Sequence, residues 1–124
     1  DADVVVTNPT HYAVALKYEQ EGDRTPLVIA KGTGEIARKI REIAAENKVV
    51  QLEAPALARA LYANVELDQP IPEALFTAVA QVLAWVYQLR QYRQGMAEEP
   101  DRPVNLPVPP ELDPQSGQAQ VPAP

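Results

Sequence analysis

Asp3-Val4-Val5-Val6-Thr7-Asn8-Pro9-Thr10-His11-Tyr12-Ala13-Val14-Ala15-Leu16-Lys17-Tyr18 is the stretch whose reading decides the fold. Three β-branched valines in a row favour extended backbone. Asn8-Pro9 is a turn signal. Beyond it, Tyr12, Val14, Leu16 and Tyr18 fall on one face of a strand, with Ala13, Ala15 and Lys17 on the other. The pattern predicts two strands joined by a tight turn.

Working outward, Glu19 to Pro26 reads as a polar turn region, and Leu27-Val28-Ile29-Ala30 as a buried strand ended by Lys31-Gly32. Thr33 is suited to cap a helix running to Asn47. In that helix Ile36, Ile40, Ile43 and Ala44 share one face, while Glu35/Lys39 and Arg38/Glu42 are i,i+4 pairs on the other. Val49-Val50-Gln51-Leu52 is a fourth strand, and Pro55 suits the first turn of a short helix to Tyr62. Pro72 opens a long final helix, with Leu75, Val79, Val82, Val86 and Leu89 as its buried row and Phe76, Ala80, Leu83 and Tyr87 widening it. Strands alternating with helices predict a small α/β domain, helices on both faces of a roughly four-stranded sheet. Strand order is not readable from this pattern.

The composition changes near residue 95. The last 28 residues hold eight prolines, and Val104, Leu106 and Val108 alternate with prolines without a helical period. Such a segment has too little to bury to offset its ordering entropy. The expected organisation is one domain over 1–95 and a disordered or polyproline-like tail over 96–124, with docking through 104–110 as the lesser reading.

Charge and composition exclude several functions. Residues 97–124 carry one Arg and five acids, so four of the six net negative charges lie in the tail. That balance is the reverse of a nucleic-acid groove. With no cysteine and one histidine, thiolate and histidine-cluster metal sites are not expected, and no cofactor is predicted. No run of eighteen apolar residues is available to span a membrane, and no signal-peptide pattern is visible. Gly32-Thr33-Gly34 after a strand lacks the fuller glycine pattern of a nucleotide loop and reads as a helix start.

Asn8-Pro9 has a chemistry of its own. Asparagine ordinarily degrades by attack of the next backbone nitrogen, and proline has no N–H to make that attack. The reverse route remains: the Asn8 side-chain nitrogen closes on the Asn8 backbone carbonyl carbon, a succinimide forms, and Pro9 leaves as a new amino terminus. An amide is a poor nucleophile and a poor electrophile, so a tight turn, strain before the proline, and a donor for the developing oxyanion must all assist. A single event at roughly 10⁻³ per second needs a barrier of about 21 kcal/mol, a modest demand by enzyme standards. His11 is placed to shuttle a proton or orient the turn, and Thr10 to steady the turn or oxyanion.

The setting strengthens this reading. The 3–18 stretch, with Ala30-Lys31-Gly32, Ile40-Arg41-Glu42-Ile43, Pro55-Ala56-Leu57-Ala58-Arg59-Ala60-Leu61-Tyr62 and Ile71-Pro72-Glu73, resembles the cytoplasmic domain of the flagellar export switch family, FlhB, with YscU and SpaS as virulence relatives. The resemblance covers residues 1 to about 92 and is nearer the flagellar branch. It implies a four-stranded sheet flanked by helices, and carries Asn8, Pro9, Thr10 and His11 over as a cleavage motif cut between Asn8 and Pro9. It further implies an N-terminal membrane domain absent from this sequence, at the cytoplasmic face of the bacterial inner membrane. Implied partners are type III export gate components, export substrates and a hook-length ruler protein, in a switch from rod-and-hook to filament substrates. The expected activity is one self-cleavage without turnover of an external substrate. A passive docking module with incidental cleavage is the alternative; a conventional small-molecule enzyme is disfavoured because no second catalytic constellation joins His11.

Overall fold

The computed structural model describes residues 2–9, 11–18 and 25–115. Strands β1 (Val4–Asn8), β2 (Tyr12–Lys17), β3 (Leu27–Thr33) and β4 (Val50–Glu53) form one sheet in the order β3-β2-β1-β4. β1 pairs antiparallel with β2, Val4 opposite Leu16 and Asn8 opposite Tyr12, and parallel with β4, Val4 opposite Val50. β2 pairs antiparallel with β3, with a register shift at Ala15/Leu16. β1 is thus an interior strand, which accounts for Val4, Val5 and Val6 all being buried.

Alternation then sorts the side chains. Val4, Val6, Val14, Leu16 and Leu52 face helices α2 (Pro55–Asn64) and α3 (Phe76–Arg93), where Leu57, Leu61, Val79, Val82 and Val86 complete the main core. Val5, Ala13 and Ala15 face α1 (Gly34–Glu46) across a thinner layer closed by Ala37 and Ala44. The predicted α/β class, four strands and three helices are all present, with boundaries moved by a few residues: β3 continues to Thr33, α2 to Asn64, and a 3₁₀ turn (Glu73–Leu75) precedes α3.

Two helix faces differ from the sequence reading. On α1, Ile36 and Ile43 are 62% and 48% exposed, and the buried positions are Ala37 and Ala44. The cause is close approach: a Cβ on Gly32 would stand 2.2 Å from Ile36 Cγ2, so the helix lies tight on a small-residue surface with its isoleucines at the flanks. On α3 the row Leu75, Val79, Val82, Val86 and Leu89 is buried as expected, but Phe76 and Tyr87 stay 43% and 55% exposed. Ala78 and Trp85 complete the buried side in their place.

Just past the end of α3, Gly95 has a φ of +75° that suits glycine, and Met96 N–H donates to Gln91 O at 2.9 Å. The segment beyond it, expected to be disordered or polyproline-like, lies against the domain as far as residue 115. Between described residues no backbone–backbone hydrogen bond ties 97–115 to the sheet or helices. Instead Leu106, Val108 and Leu112 pack on the main core, and Asp113 is 5% exposed. Prolines lower the entropy cost of ordering such a stretch, and spaced apolar side chains suffice to seat it. Residues 116–124, the rest of the expected tail, lie outside the described residues.

Candidate functional site

The Asn-Pro-Thr-His turn joins β1 to β2. Asn8 is the last residue of β1 and is half-buried; Pro9 and His11 are exposed. Thr10, carried over as part of the motif, lies outside the described residues. The turn closes on itself through the His11 backbone N–H, which donates to the Asn8 carbonyl at 2.9 Å. That carbonyl is the one a cyclising Asn8 side chain would attack. A donor aimed at a carbonyl oxygen polarises its carbon and stabilises negative charge on that oxygen. The His11 backbone N–H thus stands at the carbonyl that the sequence reading offered only to Thr10 as a steadying donor.

His11 is anchored from its other side as well. Its carbonyl accepts from the Gly34 N–H at 3.2 Å, one of the donors left over at the start of α1. Thr33 occupies the cap position as predicted, yet its side chain makes no capping hydrogen bond. The turn caps the helix in its place. The preceding Thr7 is buried, its hydroxyl donating to Leu52 O at 3.4 Å and its carbonyl accepting from Ala54 N–H at 2.8 Å. Both sides of the Asn8–Pro9 bond are thus fixed to the sheet or to α1.

Asn8 and His11 line a cavity of about 450 Å³ together with Tyr12, Thr33, Gly34, Arg59 and Gln115. Four of these come from distant chain: Thr33-Gly34 present the N-terminus of α1, a partial positive charge, and Arg59 and Gln115 belong to α2 and the C-terminal segment. Arg59 is held by Asp113 in a two-pronged pair, Nε to Oδ1 at 2.8 Å and Nη2 to Oδ2 at 3.0 Å. The hydrogen bonds from Arg59, helped by the Gln115 N–H, hold the Asp113 carboxyl below the ordinary aspartate range against the opposing effect of burial. The same pair raises Arg59 further. Sequence reasoning missed Arg59. The available signal was a lone charge inside the apolar run Ala56-Leu57-Ala58-Arg59-Ala60-Leu61.

Lys31, read as the end of a strand, closes the other end of α2. Its Nζ donates to the carbonyls of Tyr62 and Val65 at 3.0 and 2.9 Å and lies 5.0 Å from the Tyr62 ring centre, which in turn packs 5.2 Å from Tyr12. A second depression of about 380 Å³ sits away from the turn, with Tyr18, Pro26, Ile71, Phe76, Ala80 and Leu83 in its walls. Among the described residues, no group of three His, Asp or Glu side chains is placed to hold a metal ion. No described helix is long and apolar enough to cross a membrane.

Residues 1–86 match the model of the FlhB HrpN YscU SpaS family. The chain is 57% identical over 112 residues to the flagellar biosynthetic protein FlhB of Salmonella typhimurium, covering 90% of this chain and 29% of that one. It therefore spans under a third of that curated relative. Among solved structures, the cytoplasmic domain of FlhB from Shewanella putrefaciens superposes with a TM-score of 0.84 at 54% identity, covering 90% of this chain and 87% of that one. A point variant of the EscU C-terminal domain superposes at 0.65 with 36% identity, covering 67% and 83%.

Proposed function

The chain belongs to the FlhB/HrpN/YscU/SpaS family, and from that premise we propose that it is the cytoplasmic domain of a type III, flagellar-type export component that cuts itself between Asn8 and Pro9. The cut helps change export from rod-and-hook to filament substrates. In this reading the domain is joined to a membrane-embedded part at the cytoplasmic face of the inner membrane. Gate components, export substrates and a ruler protein are its partners.

The observation that carries the cleavage reading is the 2.9 Å hydrogen bond from His11 N–H to the Asn8 carbonyl. Asn8 Nδ2 forms a bond to the Asn8 backbone carbon and loses one proton; the carbonyl oxygen gathers negative charge against the His11 N–H. The bond from that carbon to the Pro9 nitrogen then breaks as that nitrogen takes up a proton, leaving a succinimide and a free Pro9. The His11 ring, exposed beside the turn, serves as a proton carrier while its backbone organises the carbonyl. Thr10 is assigned to the turn by family resemblance.

After a cut the halves stay together. β1 retains its ladders to β2 and β4 and its buried valines, and Asp3 keeps its carboxylate on Arg90 Nη2 and on the Tyr18 N–H at 2.9 and 2.7 Å. What changes is the 8–11 turn and the cavity it faces.

The test is the denatured mass of fresh protein over time beside Asn8→Ala. Pieces ending at Asn8 and starting at Pro9, absent from the variant, support the reading; an intact chain throughout rejects it. For the switch, a variant cut at the same position by an added protease site should restore substrate change that Asn8→Ala has lost. The docking alternative draws on the apolar depression beside Phe76, which suits an apolar side chain of an export substrate. It predicts that Ala80→Asp weakens export without altering cleavage.

A further inference from the structure

The C-terminal segment reaches the cleavage turn by a route the family reading does not use. Residues 103–113 lie on α2 through side chains: Leu106, Val108 and Leu112 on the core, and Leu112 O accepting from Asn64 Nδ2 at 2.7 Å. The seat ends in the Arg59–Asp113 pair, whose side chains are 19% and 8% exposed. Gln115, two residues on, stands in the wall of the same cavity as Asn8, His11 and Arg59. One guanidinium is therefore shared by two tasks, holding the segment and lining the cleavage cavity.

We propose that residues 103–115 are a releasable strap whose latch, Arg59–Asp113, sets the rate of cleavage at Asn8–Pro9. Seated, the strap spends the charge of Arg59 on Asp113 and sets Gln115 at the cavity. Lifted, it leaves a bare guanidinium beside a reaction that builds negative charge on the Asn8 carbonyl oxygen, and a cation there lowers that barrier. The strap is suited to lifting because, between described residues, side-chain contacts rather than ladders hold it to the domain. Arg59 is on this account a positioning residue of the cavity, and Asp113 its brake. The inference rests on the self-cleavage reading and deepens it.

The experiment follows cleavage of the full chain by denatured mass in wild type, Asp113→Asn, Arg59→Gln and the double variant, at low and high salt. Asp113→Asn should cleave about three- to tenfold faster at low salt, with the gain shrinking as salt screens the freed cation. Arg59→Gln should not be faster, and the double variant should follow Arg59→Gln. Arg59→Lys, which keeps the charge, should again be accelerated by Asp113→Asn. An unchanged or slower Asp113→Asn, or a gain that survives in the double variant, overturns the proposal. If wild type never cuts, the cleavage reading fails by itself. The latch is then read on the intact chain: amide resonances of Asn8, His11 and Tyr12 that move with those of Leu112 and Gln115 in Asp113→Asn support coupling, and their standing still overturns it.

Discussion

The β1–β2 hairpin and the C-terminal strap are held to the same core by opposite means. The hairpin is fixed through its backbone, in register with neighbours on both sides of β1. The strap is fixed through a few side chains and, between described residues, no backbone–backbone hydrogen bond to the domain. A ladder is lost only with the sheet that contains it. A side-chain seat can be lost alone, and it can be lost at one residue. This contrast separates what the domain cannot change without unfolding from what it can change while folded.

The largest effect that would sharpen the contrast is chemical: Asn8→Ala should abolish the two-piece mass pattern and leave the far-UV spectrum intact, since the side chain sits at the end of β1. The next is structural. Leu16, fully buried at the hairpin's edge of the core, should cost about 3 kcal/mol as Leu16→Ala and lower a single cooperative melting transition. A strap that melted separately from the hairpin in this variant would match the picture; a hairpin that melted before the rest would break it.

Asp113→Asn comes third, at about 1–3 kcal/mol for a charge-assisted pair that is mostly covered. The loss should be local. Amide exchange should rise at Leu112 and Gln115 and stay unchanged along Val4, Val5, Val6, Val14 and Leu16, away from the turn. Acid reaches the same latch without mutation. The Asp113 carboxyl is held below its ordinary value chiefly by the hydrogen bonds from Arg59. Its stabilising effect is therefore full above the unfolded value of about 3.9 and fades as pH falls through the lower folded value. Below about pH 4 the strap resonances should shift ahead of those of the hairpin. The smallest effect belongs to Arg38, whose pairs with Glu35 and Glu42 are exposed on both sides. Arg38→Ala should leave the melting temperature unchanged, because solvent already screens what those pairs hold.

The contrast also marks what was legible in the sequence. Strands and helices announced themselves because periodicity reports backbone geometry, and Asn8-Pro9 because its chemistry is local. Strand order was not legible: β4 joins β1 after crossing beneath two strands with α1 between, and no residue of Val50–Glu53 states its neighbour. The exposed Ile36 and Ile43 misled because amphipathic spacing cannot report how small the facing surface is, and Gly32 set that. The strap escaped because its apolar residues have no period. Arg59 and Asp113 meet across 54 positions, and neither carries a sign of the other. Of the candidate site, the Asn8-Pro9 turn was legible as a local motif, while the hydrogen bond from the His11 amide to the Asn8 carbonyl needed coordinates.

The interior position of β1 has one more consequence. If the backbone opens within the 8–11 turn, the folded domain becomes a complex of two molecules, one of them contributing a single interior strand, β1, to the sheet. Its refolding would become second order and its melting temperature would rise with protein concentration, although no native contact had altered. Dilution, which leaves the unbroken chain indifferent, would then set a clock on the broken one, running at the rate at which the sheet lets go of its centre.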